Sequence, residues 1–420
     1  MISDPAETFT VAPQPWMTAA PTAAVMAALA PEGAARFVGG AVRDALMGLD
    51  PAGELDIATP AAPERVMALL AAADIRAIPT GIDHGTVTAV IGRVHFEITT
   101  LRRDVATFGR RAEVAYTDDW RIDAARRDFT FNAMSLTAAG EGFDYFGGRD
   151  DLAKGRVRFV GDPARRIEED VLRILRFFRF FARYGRGGPD ADAMAAISAA
   201  AAKVRALSGE RVWMELRRIL ATEEPVAVLD LMGQSGVLAQ LLPEGVTLTR
   251  IGALARIEAS LGEATDPVRR LAALVGAGAS DPASLAVRLR LSRVAKTRLA
   301  QMLAPTPVVA RDCSPALARR LIYELGRAAF RDRVLLAWAD AASDPADSPY
   351  GVLAELAETF EPPAFPLGGD EAKAVGLKPG PEMGAALKVV ESWWIAEDFR
   401  PDRDELLARL KAVAGDQAKD

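Results

Sequence analysis

Apolar and polar positions divide the chain into two regimes. From Arg36 to Thr99, short apolar runs alternate with turn residues. Arg36–Val38, Leu55–Ala58, Ile75–Ile78, Thr86–Ile91 and Val94–Thr99 each read as a strand. Helical spacing occurs at Pro21–Ala30 and Pro63–Ala72, each opened by proline at the first helical position, and at Ala41–Met47, stopped by Gly48. Residues 102–120 hold polar side chains, glycine and few apolar anchors, and read as a loop or a flexible ribbon. From Asp123 onward helix dominates, and after about residue 190 no strand pattern occurs. Ser292, Ser314-Pro315, Asp370 and Pro401-Asp402 are helix-start residues, and Leu317–Leu325 and Val334–Trp338 have amphipathic spacing. No repeat of fixed period interrupts this division. The pattern predicts an α+β fold: a head built on a mixed sheet of about five strands with flanking helices, then an all-α remainder.

Composition narrows the class. A chain of 420 residues, half of them hydrophobic, is expected to form several domains with sizeable cores. A formal charge of −6 excludes a generally basic nucleic-acid coat, so any polyanion site must be a local patch. The single cysteine, Cys313, excludes a disulfide framework within the chain and a cysteine-based zinc site; its expected role is a small buried hydrophobe. Two histidines, His84 and His95, are too few for a histidine-rich phosphohydrolase centre. The N-terminal residues include Asp4 and Glu7 and no basic segment, and no run of roughly 18 apolar residues occurs. The expected location is the cytoplasm, with no membrane contact.

Candidate chemistry begins at Gly39-Gly40, between the first apolar run and a helix. Adjacent glycines there let the backbone approach something bulky and leave N–H groups at a helix start, a seat for phosphate. Glu54 and Asp56 flank Leu55 and point to one face of a strand. Two carboxylates on one face repel unless a cation lies between them, and a divalent metal does that. Glu97, in HFEITT on a later strand, is a candidate third carboxylate; the alternative is an edge-strand surface residue.

The GGAVRD run, followed by a carboxylate-x-carboxylate strand, resembles the nucleotidyltransferase superfamily, in the branch of class II tRNA nucleotidyltransferases that holds bacterial CCA-adding enzymes and poly(A) polymerases. Further segments in family order strengthen the resemblance: Arg126-Arg127-Asp128-Phe129-Thr130-Phe131-Asn132-Ala133, with Phe131 as a substitution; Asp144-Tyr145-Phe146-Gly147-Gly148; Gly161-Asp162-Pro163; and Glu168-Glu169-Asp170-Val171-Leu172-Arg173. It covers roughly residues 36–220. It implies a two-metal mechanism with magnesium on Glu54 and Asp56, where the family pattern has Asp at both positions and Glu54 departs from it. It also implies nucleotide contacts from Gly39, Gly40, Arg43, Arg127, Asp128, Asn132, Asp170, Arg173, Arg176 and Arg179.

Asp170 and Arg173, three apart on an expected helix, are face neighbours. A carboxylate accepts from an exocyclic amine while a guanidinium donates to a ring nitrogen, the order that cytosine and adenine present. Guanine and uracil present the reverse, so one such pair admits C and A and rejects G and U. The family assigns base recognition to these positions. Between Arg165 and Arg186 seven arginines face three carboxylates, with aromatic residues interleaved, and some of these cations are candidates for RNA phosphate contact. Ser208–Leu216 resembles the family helix that buttresses this segment. The clusters Arg290, Arg293, Lys296, Arg298 and Arg311, Arg319, Arg320 read as solvated helix surface before RNA contact.

The expected organisation is an N-terminal segment (1–30), a catalytic head (31–160), a base-reading neck (161–225) and a helical body and tail that bind tRNA (226–420). The expected reaction is template-independent addition of CCA to tRNA 3′ ends from CTP and ATP, with no DNA partner. The alternatives are a poly(A) polymerase or a partial enzyme adding CC or A, which share every motif above, and a catalytically weak RNA-binding relative. The segment 102–120, with Arg102, Arg103, Arg110 and Arg111, favours the full reaction among these.

Overall fold

The computed structural model describes residues 6–33, 35–51, 53, 55–108, 111–276, 281–341 and 348–417, with 104–108, 111–114 and 416–417 described by their backbone alone. Its contacts divide the chain into two compact units, Met1–Thr222 with Ala227–Pro243, and Glu223–Val226 with Glu244–Asp420. The segments expected as head and neck fall in the first as far as Thr222, and the last three residues of the expected neck in the second.

Ten strands occur among the described residues: β1 Glu7–Thr10, β2 Arg36–Val38, β3 Leu55–Thr59, β4 Arg76–Gly81, β5 Thr86–Ile91, β6 Val94–Thr100, β7 Arg102–Phe108, β8 Arg111–Tyr116, β9 Ser135–Leu136 and β10 Glu141–Asp144. Eight form one sheet in the order β1-β10-β9-β2-β3-β6-β5-β4, and β7 pairs with β8 in a separate antiparallel ribbon. All neighbours in the large sheet are antiparallel except β3 and β6. The sheet is therefore mixed, with three strands more than the five expected. β9 is too short to show a period, β10 opens with Glu-Gly, and β1 lies in an alanine- and proline-rich segment.

One face of the central strands is fully buried, through Ile57 on β3, Val87 and Ala89 on β5, and Phe96 and Ile98 on β6. The helix Pro63–Ala72 contributes Val66 and Leu70 to that core, at the period of an amphipathic helix. The opposite face of β3 and β6 carries Asp56, Glu97 and Thr99, each only partly buried. After Leu136, the first unit continues through the helices Gly148–Lys154, Pro163–Glu169, Leu172–Tyr184, Ala191–Ala200 and Gly209–Leu220. An aromatic core joins the segment at 129–131 to the helix Leu172–Tyr184. Phe131 lies 5.8 Å from Phe129, 5.4 Å from Phe180 and 6.0 Å from Tyr184 between ring centroids, so the substituted position is filled by one stacked and two edge-to-face aromatic contacts.

The second unit has helices and no strand among its described residues. Ser292 and Ser314 cap helices through their hydroxyls, and Asp402 accepts from the amides of Asp404 and Glu405, as their residue types predict. The helix Arg327–Ala341 departs from the amphipathic expectation. It buries Phe330, Asp332, Arg333, Val334, Leu335, Leu336, Trp338 and Ala339, and so is covered nearly all round. Of its buried polar residues, Asp332 takes Arg269 and Arg298, with Arg269 and Arg270 also held by Glu258, while Arg333 donates to the carbonyls of Ala304, Thr306 and Pro307. Cys313 is half-exposed rather than buried, because it sits in the turn before the helix Pro315–Leu325. No described helix is long and apolar enough to cross a membrane.

Candidate active site

The parallel register of β3 and β6 sets Asp56 directly beside Glu97 on one face of the sheet. β6 lies between β3 and β5, so Glu97 is not on an edge strand. Glu54 lies outside the described residues. Gly39, at the end of β2, has φ +66°, a left-handed conformation that glycine adopts without strain. A Cβ on Gly39 would sit 3.4 Å from Asp56 Oδ2 and 3.6 Å from Arg127 Nη1, so carboxylate and guanidinium converge on the bare turn. Among the described residues no group of three or more His, Cys, Asp or Glu is arranged to hold a metal. Asp56 and Glu97 nevertheless form an all-oxygen pair, and magnesium is ordinarily held by one or two carboxylates together with its substrate's phosphates. Their chemistry fits that ion.

Arg43, on the helix Gly40–Leu46, is buried. It directs Nε and Nη2 onto Asp44 Oδ1 at 3.0 and 2.8 Å and Nη1 onto Asn132 Oδ1 at 2.9 Å, beneath the Tyr184 ring at 4.7 Å. The fork expected to reach phosphate is thus spent on its own neighbour, because burial against aromatic rings demands an adjacent countercharge. Asn132 Nδ2 donates to Asp128 Oδ1 at 3.1 Å, and Asp128 Oδ2 accepts from Arg176 Nε at 2.6 Å. Burial pushes the Asp128 carboxyl up. The Arg176 charge, with donors from Asn132, Arg176 and the Phe129 amide, outweighs this and holds it below the usual carboxylate range. A relay of side chains therefore runs from the glycine turn to the helix Leu172–Tyr184.

A second relay runs through Asp123. Its two oxygens take Arg126 Nε at 2.8 Å and Arg127 Nη2 at 3.1 Å. Burial raises this carboxyl, and the two arginine charges reverse the effect and hold it low. Arg173 donates to the Arg126 carbonyl at 3.0 Å, to the Arg166 carbonyl at 2.8 Å and to Glu169 Oε2 at 2.6 Å. Arg166 donates to the Ala125 carbonyl at 2.9 Å and to the other Glu169 oxygen at 2.6 Å. Two arginines held on one glutamate thus cap the carbonyl end of the helix Trp120–Ala125.

The helical placement of Asp170 requires correction. The helix Pro163–Glu169 ends before it, Asp170 is extended with φ −152° and ψ 106°, and a new helix begins at Leu172. Asp170 and Arg173 are not an i,i+3 ion pair. Asp170 Oδ1 accepts from the Leu172 amide at 3.1 Å and Oδ2 from Arg211 at 2.7 Å, while Arg173 is engaged by Glu169. An aspartate that caps the next helix through its own carboxylate competes with helical backbone, which explains the break. Arg179 pairs with Glu215 at 2.6 Å and lies 4.2 Å over the Phe180 ring. Burial, against the pull of Glu215, pushes the Arg179 guanidinium down to about 10, and neighbouring Arg176 and Arg218 add to the effect.

The sequence-derived residues therefore meet in one unit: Asp56, Gly39 and Arg127 at the turn, Arg43, Asn132, Asp128 and Arg176 along one relay, and Arg173 on the other. Gly40 stands beside Arg43, with Nη2 at 3.5 Å from where its Cβ would be. Glu169, Asp123 and Asp44 were given no role from sequence, and Arg166, Arg211 and Glu215 only that of the segment each lies in. Glu169 to Arg173 and Arg211 to Glu215 are i,i+4 pairs, a spacing that marks a shared face but not the distant partner each side chain takes.

The chain matches the family described as "Poly A polymerase head domain" over residues 35–158 and that described as "Probable RNA and SrmB-binding site of polymerase A" over 189–247. It is 36% identical over 388 residues to the CCA tRNA nucleotidyltransferase 1, mitochondrial, of Mus musculus, covering 90% of this chain and 86% of that one. It is 30% identical over 384 residues to the CCA-adding enzyme of Limosilactobacillus fermentum, covering 87% and 90%. Among solved structures, the Bacillus stearothermophilus CCA-adding enzyme in complex with CTP shares the fold, with a TM-score of 0.71 at 24% identity over 94% of this chain and 97% of that one.

Proposed function

The chain belongs to the CCA tRNA nucleotidyltransferase family, and from that premise we propose that it adds C, C and A to the 3′ end of tRNA from CTP and ATP, releasing pyrophosphate. In this reading residues 31–160 are the catalytic head, 161–225 the base-reading neck, and 226–420 the body and tail that grip tRNA. The terminal ribose hydroxyl attacks the α-phosphate of the bound nucleotide in line with the departing pyrophosphate. Asp56, Glu97 and Glu54 are the residues that would hold magnesium. That ion, when bound, supplies countercharge for the triphosphate and acidifies the attacking hydroxyl.

The rest of the work falls to the chain itself. Gly39 keeps the turn open beside Asp56, and Arg127 brings a cation to the same place. Asp128 and Asn132 hold Arg176 and Arg43 in fixed orientation. Arg173 and Asp170 read the base edge, Arg173 with its plane set by three protein acceptors. One observation carries the reading: Arg173 is bonded to the backbone of Arg126, whose side chain shares Asp123 with Arg127, whose guanidinium lies beside Gly39 with Asp56. Base selection and phosphoryl transfer are therefore a few side chains apart.

The test offers tRNA lacking its CCA end with CTP alone, ATP alone and both, and sizes the products. Extension that stops at C-C-A supports the proposal. Long adenylate tails would favour the polymerase, and no extension the RNA-binding relative.

A further inference from the structure

The helix Leu172–Tyr184 carries Arg176, Phe180 and Tyr184 at successive spacings of four, so the three share one face along about 12 Å of helix. Tyr184 is its last residue. Gly185 follows without a side chain: a Cβ there would lie 2.5 Å from the Phe181 carbonyl oxygen, to which the Gly185 N–H donates at 2.9 Å. Tyr184 is buried, with the ring centroids of Phe131 and Phe180 each 6.0 Å from its own. Phe131 is the substitution in the family run, so part of this tyrosine's setting lies outside the shared motif.

Its polar neighbours belong to the glycine turn. The Arg43 guanidinium carbon lies 4.7 Å from the Tyr184 ring centroid and 5.4 Å from that of Phe180. The Tyr184 hydroxyl donates to Asp44 Oδ1 at 3.4 Å, the oxygen that also takes Arg43 Nε and Nη2. Burial pushes this hydroxyl's pKa up, against the pull of Arg43, so it keeps its proton and stays a donor. Arg43 is in turn fastened to the turn itself. Its amide donates to the Gly39 carbonyl at 3.3 Å, and its Nη2 lies 3.5 Å from where a Cβ on Gly40 would be. A buried cation held by two aromatic rings and one carboxylate has few positions open to it. A residue that only filled the core would need none of these polar contacts.

We propose that Tyr184 is a positioning residue for the triphosphate: it fixes the Arg43–Asp44 pair, and through that pair the Gly39–Gly40 turn beside Asp56 and Arg127. The proposal rests on the CCA-adding reading and adds a residue to it. The helix then holds the nucleotide site from both ends of one face, with Arg176 on Asp128 and, two turns on, Tyr184 on Asp44 and Arg43. The helix that opens beside the base-reading residues thus closes on the turn that faces the phosphates.

The experiment measures the Kd of the full chain for CTP and for CMP in the presence of magnesium, alongside C addition to tRNA lacking CCA, in wild type, Tyr184→Phe and Tyr184→Leu. CTP and CMP share base and sugar and differ in the outer phosphates, so a residue acting through the turn moves the first and not the second. Tyr184→Phe removes one hydrogen bond and is expected to weaken CTP binding about 2- to 10-fold. Tyr184→Leu removes the ring and should weaken it about 30-fold, the effect of a desolvated cation–π contact, with CMP changed by less than about twofold. Arg43→Met should weaken CTP comparably, and adding Tyr184→Leu to it should cost little more, because the two side chains act as one unit. Tyr184→Phe deletes a single oxygen and carries the test if Tyr184→Leu unfolds. Equal losses for CTP and CMP, additive losses with Arg43→Met, or wild-type CTP affinity in every variant that folds overturn the proposal. A wild-type chain that extends no tRNA defeats the parent reading; one that extends it while the Tyr184 variants bind CTP as wild type does defeats this proposal alone.

Discussion

Asp128 is the residue whose removal should reveal most about how the site is held. Its carboxylate is almost wholly buried and accepts four contacts: Arg176 Nε at 2.6 Å and Nη2 at 2.5 Å on one oxygen, Asn132 at 3.1 Å and the Phe129 amide at 2.9 Å on the other. Asp128→Ala strips a partner from Arg176. Breaking a buried ion pair costs about 3–5 kcal/mol, and because the Arg176 side chain is 31% exposed the low end, about 3 kcal/mol, applies. Asn132 loses its anchor as well, and with it the acceptor that orients Arg43. A displacement of ~1 Å in such a group costs about 100-fold in rate, equivalent to about 2.7 kcal/mol of barrier. The assay is single-turnover C addition to tRNA lacking CCA at saturating CTP, with urea unfolding on the same samples. Asp128→Ala should be about 100-fold slower, and adding Arg176→Ala should cost little more, since the two act as one unit. A rate within threefold of wild type at unchanged stability would refute the relay.

Other outcomes follow from the same geometry. Asp123 and Asp128 have folded pKa values below the ordinary carboxylate value. The stability they contribute is therefore full above about pH 4 and is lost as pH falls through the depressed values; Asp128→Asn should flatten that acid limb of a pH series of thermal melts. Gly148→Ala would place a Cβ 2.2 Å from the Thr130 carbonyl oxygen and 2.8 Å from the Phe131 amide. Backbone must move, so a loss of about 1–3 kcal/mol in urea unfolding and slower C addition are expected. Asp56→Ala should abolish extension while tRNA binding persists, and Glu54→Asp should retain or raise activity; unchanged turnover in Asp56→Ala would end the assignment of Asp56 as a metal ligand.

Local pattern carried much of the head. Thr86–Ile91 alternates because one face is core, and Pro63–Ala72 announces its start with proline; both elements form where they are expected. Asp56, Gly39 and Arg127 were legible because strand period, glycine and basic triplet are local signals. Short or composition-poor strands were not: Ser135–Leu136 has no period at all, and Glu7–Thr10 is a strand because Glu141–Asp144 pairs with it. The helix break at Asp170 was hidden for a related reason. Leu172–Tyr184 continues an apolar spacing that runs in from Ile167, and the break depends on a carboxylate choosing the Leu172 amide and Arg211, 41 residues away. Likewise the burial of Arg327–Ala341 reflects partners from elsewhere in its unit, which no helical wheel of that segment contains.

In the proposed reaction protein side chains, with no nucleic-acid template, choose the incoming base. The most direct test of that choice is the single-turnover incorporation of CTP, ATP, UTP and GTP, each alone, by wild type, Asp170→Ala and Arg173→Ala, using tRNA ending before C, before the second C and before A. Each substitution should reduce discrimination against UTP and GTP by about 5- to 150-fold, the 1–3 kcal/mol carried by a paired base contact, with tRNA affinity little changed. Wild-type discrimination retained in both variants would contradict the claim.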